Sequence, residues 1–323
     1  MTSPIVVGRT ALLYRRQYPG AVPGRIRDHH ANTLDLITKS RPDGVFVGPY
    51  SLWSKKEDAE KVRMEDDEKC VVWLDTQEVG SVVFVGFGSF CCFSKEQHWE
   101  MAWGLEASGR PFLWALKEKK LAGDSAPWLP EGFEERVRGR GRVVRGWVPQ
   151  VAILNHPATG AFVTYLGWSS LTEGLIAGVP MISWPLAYDE FINERLVLNI
   201  LRVGLRMWDG YRSSLPEEAA EAVVKAEAIS RVVSRFAPPG FADQEVEAVR
   251  KRAAACRATT RAAVKEGGTA YNDLTRLIDG QKAFSPEAEW GGVCGHPQTQ
   301  EWYPCNLKGT LCFLFSLLSG WCP

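Results

Sequence analysis

The 323-residue chain balances 38 basic against 38 acidic side chains and is 45% hydrophobic, which excludes the basic excess of a nucleic-acid partner and leaves enough apolar residues for a sizeable core. No run reaches the roughly 18 apolar residues of a membrane helix; the longest, Leu311 to Leu318, falls well short, and Met1 to Gly20 has no apolar centre of the secretory-signal kind. Eight cysteines in a chain of this length are no disulfide framework, so the expectation is a cytoplasmic protein of a reducing compartment, with no membrane span and no nucleic-acid partner.

Residues 1 to about 30 show no period; Arg15, Arg16, Arg25 and Arg27 make them mildly basic, and Pro19 and Pro23 interrupt them. The charged stretch Glu57 to Lys69 reads as a surface loop. Ser81 to Gly86 is a short β-branched apolar run, the signature of a strand buried on both faces, and Gly88-Ser89 ends it. Cys91 and Cys92, which follow, read as core thiols. Ser94 opens a helical pattern through Trp99, Ala102, Trp103 and Leu105. Alternation then continues: strand Pro111–Ala115, helix Glu131–Val137, strand Arg142–Gly146, helical turn Gln150–Asn155, strand Gly160–Tyr165, helix Ser170–Ala177, strand Pro180–Trp184, helix Phe191–Leu201 and strand Gly204–Trp208. Pro216 to Arg235 reads as a long amphipathic helix, Asp243 to Lys265 as another, stopped by Gly267-Gly268, and Tyr271 to Ile278 as the last. Such alternation predicts βαβ units, hence an α/β, Rossmann-like parallel sheet with helices on both faces and ligands outside the carboxyl ends of the strands. Residues 285–323 mix Cys, Trp, Gly and Pro without a period.

The chemistry concentrates between Trp147 and Glu190. The strand ending at Tyr165 runs into Gly167-Trp168-Ser169-Ser170 and a helix, a junction that presents unpaired N–H groups and the positive end of a helix dipole to an anion. Ser89, after the turn Gly86-Phe87-Gly88, offers a second such junction. Each residue also has a plain structural explanation. Ser170 and Glu173 are spaced as a capping box. Trp147 and Trp184 are by default core or surface aromatics, and His156 before Pro157 a structural histidine. Gly-x-Gly at 86–88 lacks the full dinucleotide fingerprint, which counts against a nicotinamide oxidoreductase. Cys294, His296, Cys305, Cys312 and Cys322 fit no compact zinc spacing.

The order of the whole string outweighs these readings. Trp147-Val-Pro-Gln150, Leu154-x-His156-Pro157, Gly160-Ala-Phe162, Gly167-Trp168-Ser-Ser170, Glu173, Gly178-Val-Pro180, Trp184-Pro185 and Asp189 closely resemble the plant secondary-product glycosyltransferase signature, the box that binds UDP-sugar in family 1 glycosyltransferases. Cys70 to Asp75, Ser81 to Ser89, Gly104 to Gly109, Leu129 to Phe133 and Lys265 to Gly268 resemble the same family's C-terminal domain, so the likeness covers about residues 35–282. It implies the C-terminal half of a GT-B fold: residues 49–284 a UDP-sugar-binding domain, residues 1–48 a remnant of the N-terminal acceptor domain with its linker and a poorly ordered start, and residues 285–323 an irregular tail.

The resemblance implies that Trp147 stacks on uracil, that Val148 contacts it through its backbone, and that Gln150 and Glu173 hold the ribose. Ser170, Ser89 and the backbone at Trp168-Ser169 hold the diphosphate, while Asp189 and Glu190 face the sugar. The reaction implied is inverting transfer of a hexose, glucose above all, from UDP-sugar to a hydroxyl of a small hydrophobic acceptor such as a flavonoid, without metal or cofactor. The other reading is a UDP-sugar-binding truncated pseudoenzyme. The chain departs from the family at three box positions: Tyr165 stands where a phosphate-donating His is usual, Ser169 where Asn is usual and Glu190 where Gln is usual. Glutamate accepts but does not donate at neutral pH. The family's base is a histidine early in the acceptor domain; His29 and His30 lack its strand context, so no catalytic base is assigned, and the chain alone is not expected to turn over.

Overall fold

The computed structural model describes residues 65–88, 93–117, 127–186, 189–209, 223–283, 293–295 and 302–304. The chain divides into two units, residues 1–275 and 276–323. The second carries an antiparallel pair, β7 (Val293–Gly295) and β8 (Trp302–Pro304), where the sequence shows no period. The remaining expectations for the two ends, including low order and the cysteines other than Cys294, lie outside the described residues.

The first unit is built on a six-stranded sheet: β1 (Val82–Val85), β2 (Phe112–Leu116), β3 (Gly141–Arg145), β4 (Thr159–Thr164), β5 (Met181–Ser183) and β6 (Gly204–Arg206). Its order is β3-β2-β1-β4-β5-β6 and every pairing is parallel. The strands alternate with α1 (Glu65–Asp75), α2 (Lys95–Ser108), α3 (Phe133–Arg136), α4 (Gln150–Asn155), α5 (Trp168–Ala177) and α6 (Glu190–Arg195). Three further helices follow: α7 (Ala226–Val233), α8 (Gln244–Ala263) and α9 (Thr269–Ala283). The α/β, Rossmann-like architecture expected from the alternation is the one observed.

Two cores follow from the period of two along each strand. Val83, Val85, Trp114 and Val163 pack on Met101 and Leu105 of α2 and on Ile229 and Val233 of α7. Val82, Phe84, Leu113 and Phe162 pack on the opposite side, against Cys70 and Leu74 of α1, Leu171 of α5 and Ala253 of α8, with Phe84 and Phe162 stacked at 5.0 Å. Strands covered on both faces read as continuous apolar runs, which is why the sequence marks them.

Three elements differ from the sequence expectation. The stretch expected as a loop to Lys69 becomes helical at Glu65, because Cys70 and Leu74, one turn apart, are fully buried against the sheet. Helix Phe191–Leu201 is α-helical only to Arg195, then widens to a π-turn, Leu196–Ile200. The long helix expected from Pro216 is interrupted: Val223–Lys225 are non-helical and α7 begins at Ala226; residues 210–222 lie outside the described set. Buried Gln97 grips the Val224 backbone on both sides, donating to its carbonyl (3.0 Å) and accepting from its N–H (2.8 Å), while Glu100 accepts from the Ala226 N–H at 2.7 Å. Side chains of α2 thus hold that backbone extended and supply the cap from another element.

Candidate functional site

From β1 the chain adds β2 and β3 on one side of the sheet and then β4, β5 and β6 on the other, and ligands of open parallel sheets bind in the crevice outside the carboxyl ends at such a switch point, here between β1 and β4. His156 apart, the described residues singled out in the sequence lie on segments that leave these strand ends. The turn Gly86–Gly88 leaves β1, the segment Tyr165–Gly167 leaves β4, the loop Gly146–Pro149 leaves β3, and Trp184 onward leaves β5.

Gln150, the first residue of α4, joins two of these loops: its Nε2 donates to Ser170 Oγ at 3.1 Å and to Glu173 Oε2 at 2.8 Å, both on α5. Burial pushes the Glu173 carboxyl above the ordinary carboxylate range, and the hydrogen bond from Gln150 offsets part of that. Trp147 stands just before this group with its side chain 63% exposed, whereas Trp184 is buried against Phe87. Val148 packs at the margin of the α5-side core.

Helix α5 starts at Trp168 with Gly167 as N-cap and no side chain closing it. Ser170 is therefore the third residue of the helix, and the capping-box explanation of Ser170 and Glu173 fails: Ser170 is one turn too far in. Trp168 and Ser169 are exposed at this helix start. Tyr165 lies across the glycine turns on either side; a Cβ on Gly88 would meet its hydroxyl at 2.8 Å, and one on Gly167 would meet it closer still. Only residues without a side chain leave room for that ring. Asp189 Oδ2 accepts from Asn193 Nδ2 at 3.3 Å, and Glu190 Oε2 accepts from the Leu186 N–H at 2.7 Å.

Residues 56–205 match the family described as UDP-glucoronosyl and UDP-glucosyl transferase. Scopoletin glucosyltransferase of Nicotiana tabacum is 39% identical over 243 residues, 74% of this chain and 49% of that protein. Among solved structures, Glycyrrhiza uralensis UGT73P12, complexed with glycyrrhetinic acid 3-O-monoglucuronide, is similar with a TM-score of 0.70 and 32% identity over 79% of this chain and 51% of that one. Medicago truncatula UGT71G1, complexed with UDP-glucose, gives a TM-score of 0.63 and 30% identity over 77% and 51%. The chain belongs to the plant UDP-glycosyltransferase family. It spans about half the length of the curated relatives it matches.

The candidate residues are thus brought to one end of the sheet on the loops that leave β3, β4 and β5 and on the starts of α4, α5 and α6. Gln150, Ser170 and Glu173 form one bonded group, with Trp147 and Val148 on the loop that leads into it. Asp189 and Glu190 follow from β5, and Ser89 lies outside the described residues. His156 is not part of this group: its Nε2 pairs with Asp75 Oδ1 at 3.1 Å and its Nδ1 accepts from the Ala158 N–H, a structural clip between α1 and the turn before β4. Among the described residues no group of three or more His, Cys, Asp and Glu is arranged to hold a metal, and no helix is long and apolar enough to cross a membrane. Sequence reasoning missed Asn193, whose signal was its position four residues after Asp189 on one helix face.

Proposed function

We propose that this chain binds a UDP-sugar at the carboxyl ends of β1, β3, β4 and β5 and is the donor half of an inverting glycosyltransferase, passing a hexose, glucose above all, to a hydroxyl of a small hydrophobic acceptor such as a flavonoid. In this reading Trp147 stacks on uracil and the Val148 backbone contacts the base. Gln150 donates to the ribose and Glu173 accepts from its hydroxyls. Ser89, Ser170, Tyr165 and the N–H groups at Trp168 and Ser169 hold the diphosphate, and Asp189 and Glu190 accept from the sugar hydroxyls. The acceptor oxygen forms a bond to the anomeric carbon as the bond to UDP breaks, the proton goes to a base, and the α5 N-terminus stabilises the charge on UDP without metal or cofactor. Residues 49–284 form the donor domain, residues 1–48 the end of an acceptor domain and its linker, residues 285–323 a tail, and the protein acts in the cytoplasm.

The observation that supports this most is the Gln150–Ser170–Glu173 group at the switch point, next to an exposed tryptophan. A hydrogen-bonded, half-buried carboxylate beside an exposed aromatic face fits a ribose with its base. A second reading, donor binding without turnover, draws support from the histidines: of the two that are described, His98 is packed between Trp114 and Trp128 and His156 is paired with Asp75, so neither is presented as a base. Titration calorimetry with UDP and NAD tests the first reading; UDP is expected to bind more tightly, and equal or absent UDP binding refutes it. Product formation from UDP-glucose and a phenolic acceptor, followed by mass spectrometry, separates the two readings. Transfer needs a base within hydrogen-bond reach of the acceptor, so binding without transfer is the expected result and robust transfer overturns the second.

A further inference from the structure

Leu166, between β4 and α5, has a φ of +66°, in the left-handed region that side-chain-bearing residues rarely adopt. It is fully buried, and both sides of its backbone are held. Its N–H donates to Thr164 Oγ1 at 3.1 Å, and its carbonyl accepts from Asn193 Nδ2 at 2.9 Å. Strained backbone persists where surrounding groups over-determine it, and it concentrates at functional sites. The next residue, Gly167, is the N-cap of α5, so the conformation of Leu166 sets the direction in which the Trp168, Ser169 and Ser170 amides point.

Asn193 itself is only 6% exposed, on α6. The same Nδ2 that holds Leu166 also donates to Asp189 Oδ2 at 3.3 Å, and the Asn193 N–H donates to the Asp189 carbonyl at 2.9 Å. One amide group therefore touches the turn that leads into α5 and the carboxylate that leads into α6. We propose that Asn193 is a positioning residue of the donor site: it holds the left-handed turn that aims the α5 N-terminus together with the Asp189 carboxylate, so that the phosphate end and the sugar end of the site are set as one unit. This rests on the donor-site reading above.

The neighbouring residue supplies a control. Glu194, equally buried on α6, accepts from Ser183 Oγ at 2.8 Å and from Arg206, tying the helix to β5 and β6 instead of to the turn. Loss of either network lowers stability, but only loss of the Asn193 network frees the turn. The test uses the full chain with Asn193→Ala, Asn193→Asp and Ser183→Ala. Three measurements are made: thermal denaturation, hydrogen–deuterium exchange of peptides spanning residues 164–171, and calorimetric titration with UDP and UDP-glucose. Asn193→Ala is expected to raise exchange in that segment, to weaken UDP binding on the order of tenfold, the effect of leaving a buried carbonyl without its donor, and to narrow the difference between UDP and UDP-glucose. Ser183→Ala is expected to lower Tm and leave exchange and affinities unchanged. If Asn193→Ala alters exchange and affinity no more than Ser183→Ala does, the proposal is wrong. If the wild-type chain does not bind UDP, the donor-site reading fails, while the exchange comparison still decides whether Asn193 holds the turn. Should the alanine variant not fold, the near-isosteric Asn193→Asp, which also lacks the donor, carries the same comparison, and unchanged exchange in it overturns the proposal.

Discussion

Replacing Trp147 by alanine separates recognition from stability. The indole is 63% exposed, so its removal creates no core cavity, and the loop around it is held by main-chain bonds that the substitution leaves in place, Gly146 N–H to the Leu116 carbonyl and Gln150 N–H to the Val148 carbonyl. Exposed substitutions of this kind change stability by about 0.5 kcal/mol or less. Stacking of a base on an aromatic ring contributes about 1–3 kcal/mol by alanine substitution. With a factor of ten for every 1.4 kcal/mol, the UDP dissociation constant should rise between about fivefold and about 150-fold, while Tm stays nearly constant. Calorimetric titration with UDP gives the first quantity and differential scanning calorimetry the second. Inorganic pyrophosphate serves as the internal control, since it has no base to stack and its affinity should not change. Unchanged UDP affinity in Trp147→Ala would refute the stacking role and leave the ring as a surface aromatic, and an equal loss for pyrophosphate would show that the substitution acts through the loop.

Glu173→Gln should raise stability and weaken binding at once. Burial raises the folded-state pKa of Glu173, so its ionisation opposes folding as pH climbs from about 4.3 through the raised value. The variant should therefore melt higher than wild type at pH 7 and show no such gain below about pH 4, the range where unfolded carboxylates are protonated. UDP affinity of the wild type should fall as pH drops through the raised pKa, because a protonated carboxyl is a poorer acceptor for ribose hydroxyls; an affinity flat with pH would separate Glu173 from the ribose. Tyr165→His should strengthen UDP binding by about 1 kcal/mol, through a smaller ring between Gly88 and Gly167 and a charge-assisted donor. Tyr165→Phe, which keeps the ring and loses the hydroxyl, should weaken it; equal affinities in titration of all three proteins would place residue 165 away from the phosphates.

How much of this was legible in the sequence depends on how local each cause is. The central strand β1 announces itself because Val82 to Val85 are covered on both faces and carry no polar interruption, whereas the edge strand β3, with Arg142 and Arg145, is marked by its place in the alternation. The start of α2 was legible because Ser94 caps its own helix, accepting from the Gln97 N–H at 3.1 Å. The break before α7 was not, because Val224 is held extended by Gln97, 127 positions earlier in the chain, and Ala226 is capped by Glu100. No window of sequence contains both partners. The site divides in the same way. Gln150 and Glu173 were named from the order of the box, but nothing in that order shows that they touch, nor that Ser170 sits third in its helix and so cannot cap it. Asn193 is the sharpest case. Its neighbours in sequence give it an ordinary helical place, and its bond to the carbonyl of a leucine in a left-handed turn arises only because the segment after β4 and α6 meet. Motif order names candidate ligand residues; contacts such as that of Asn193 with Leu166 become visible when the strands are laid side by side.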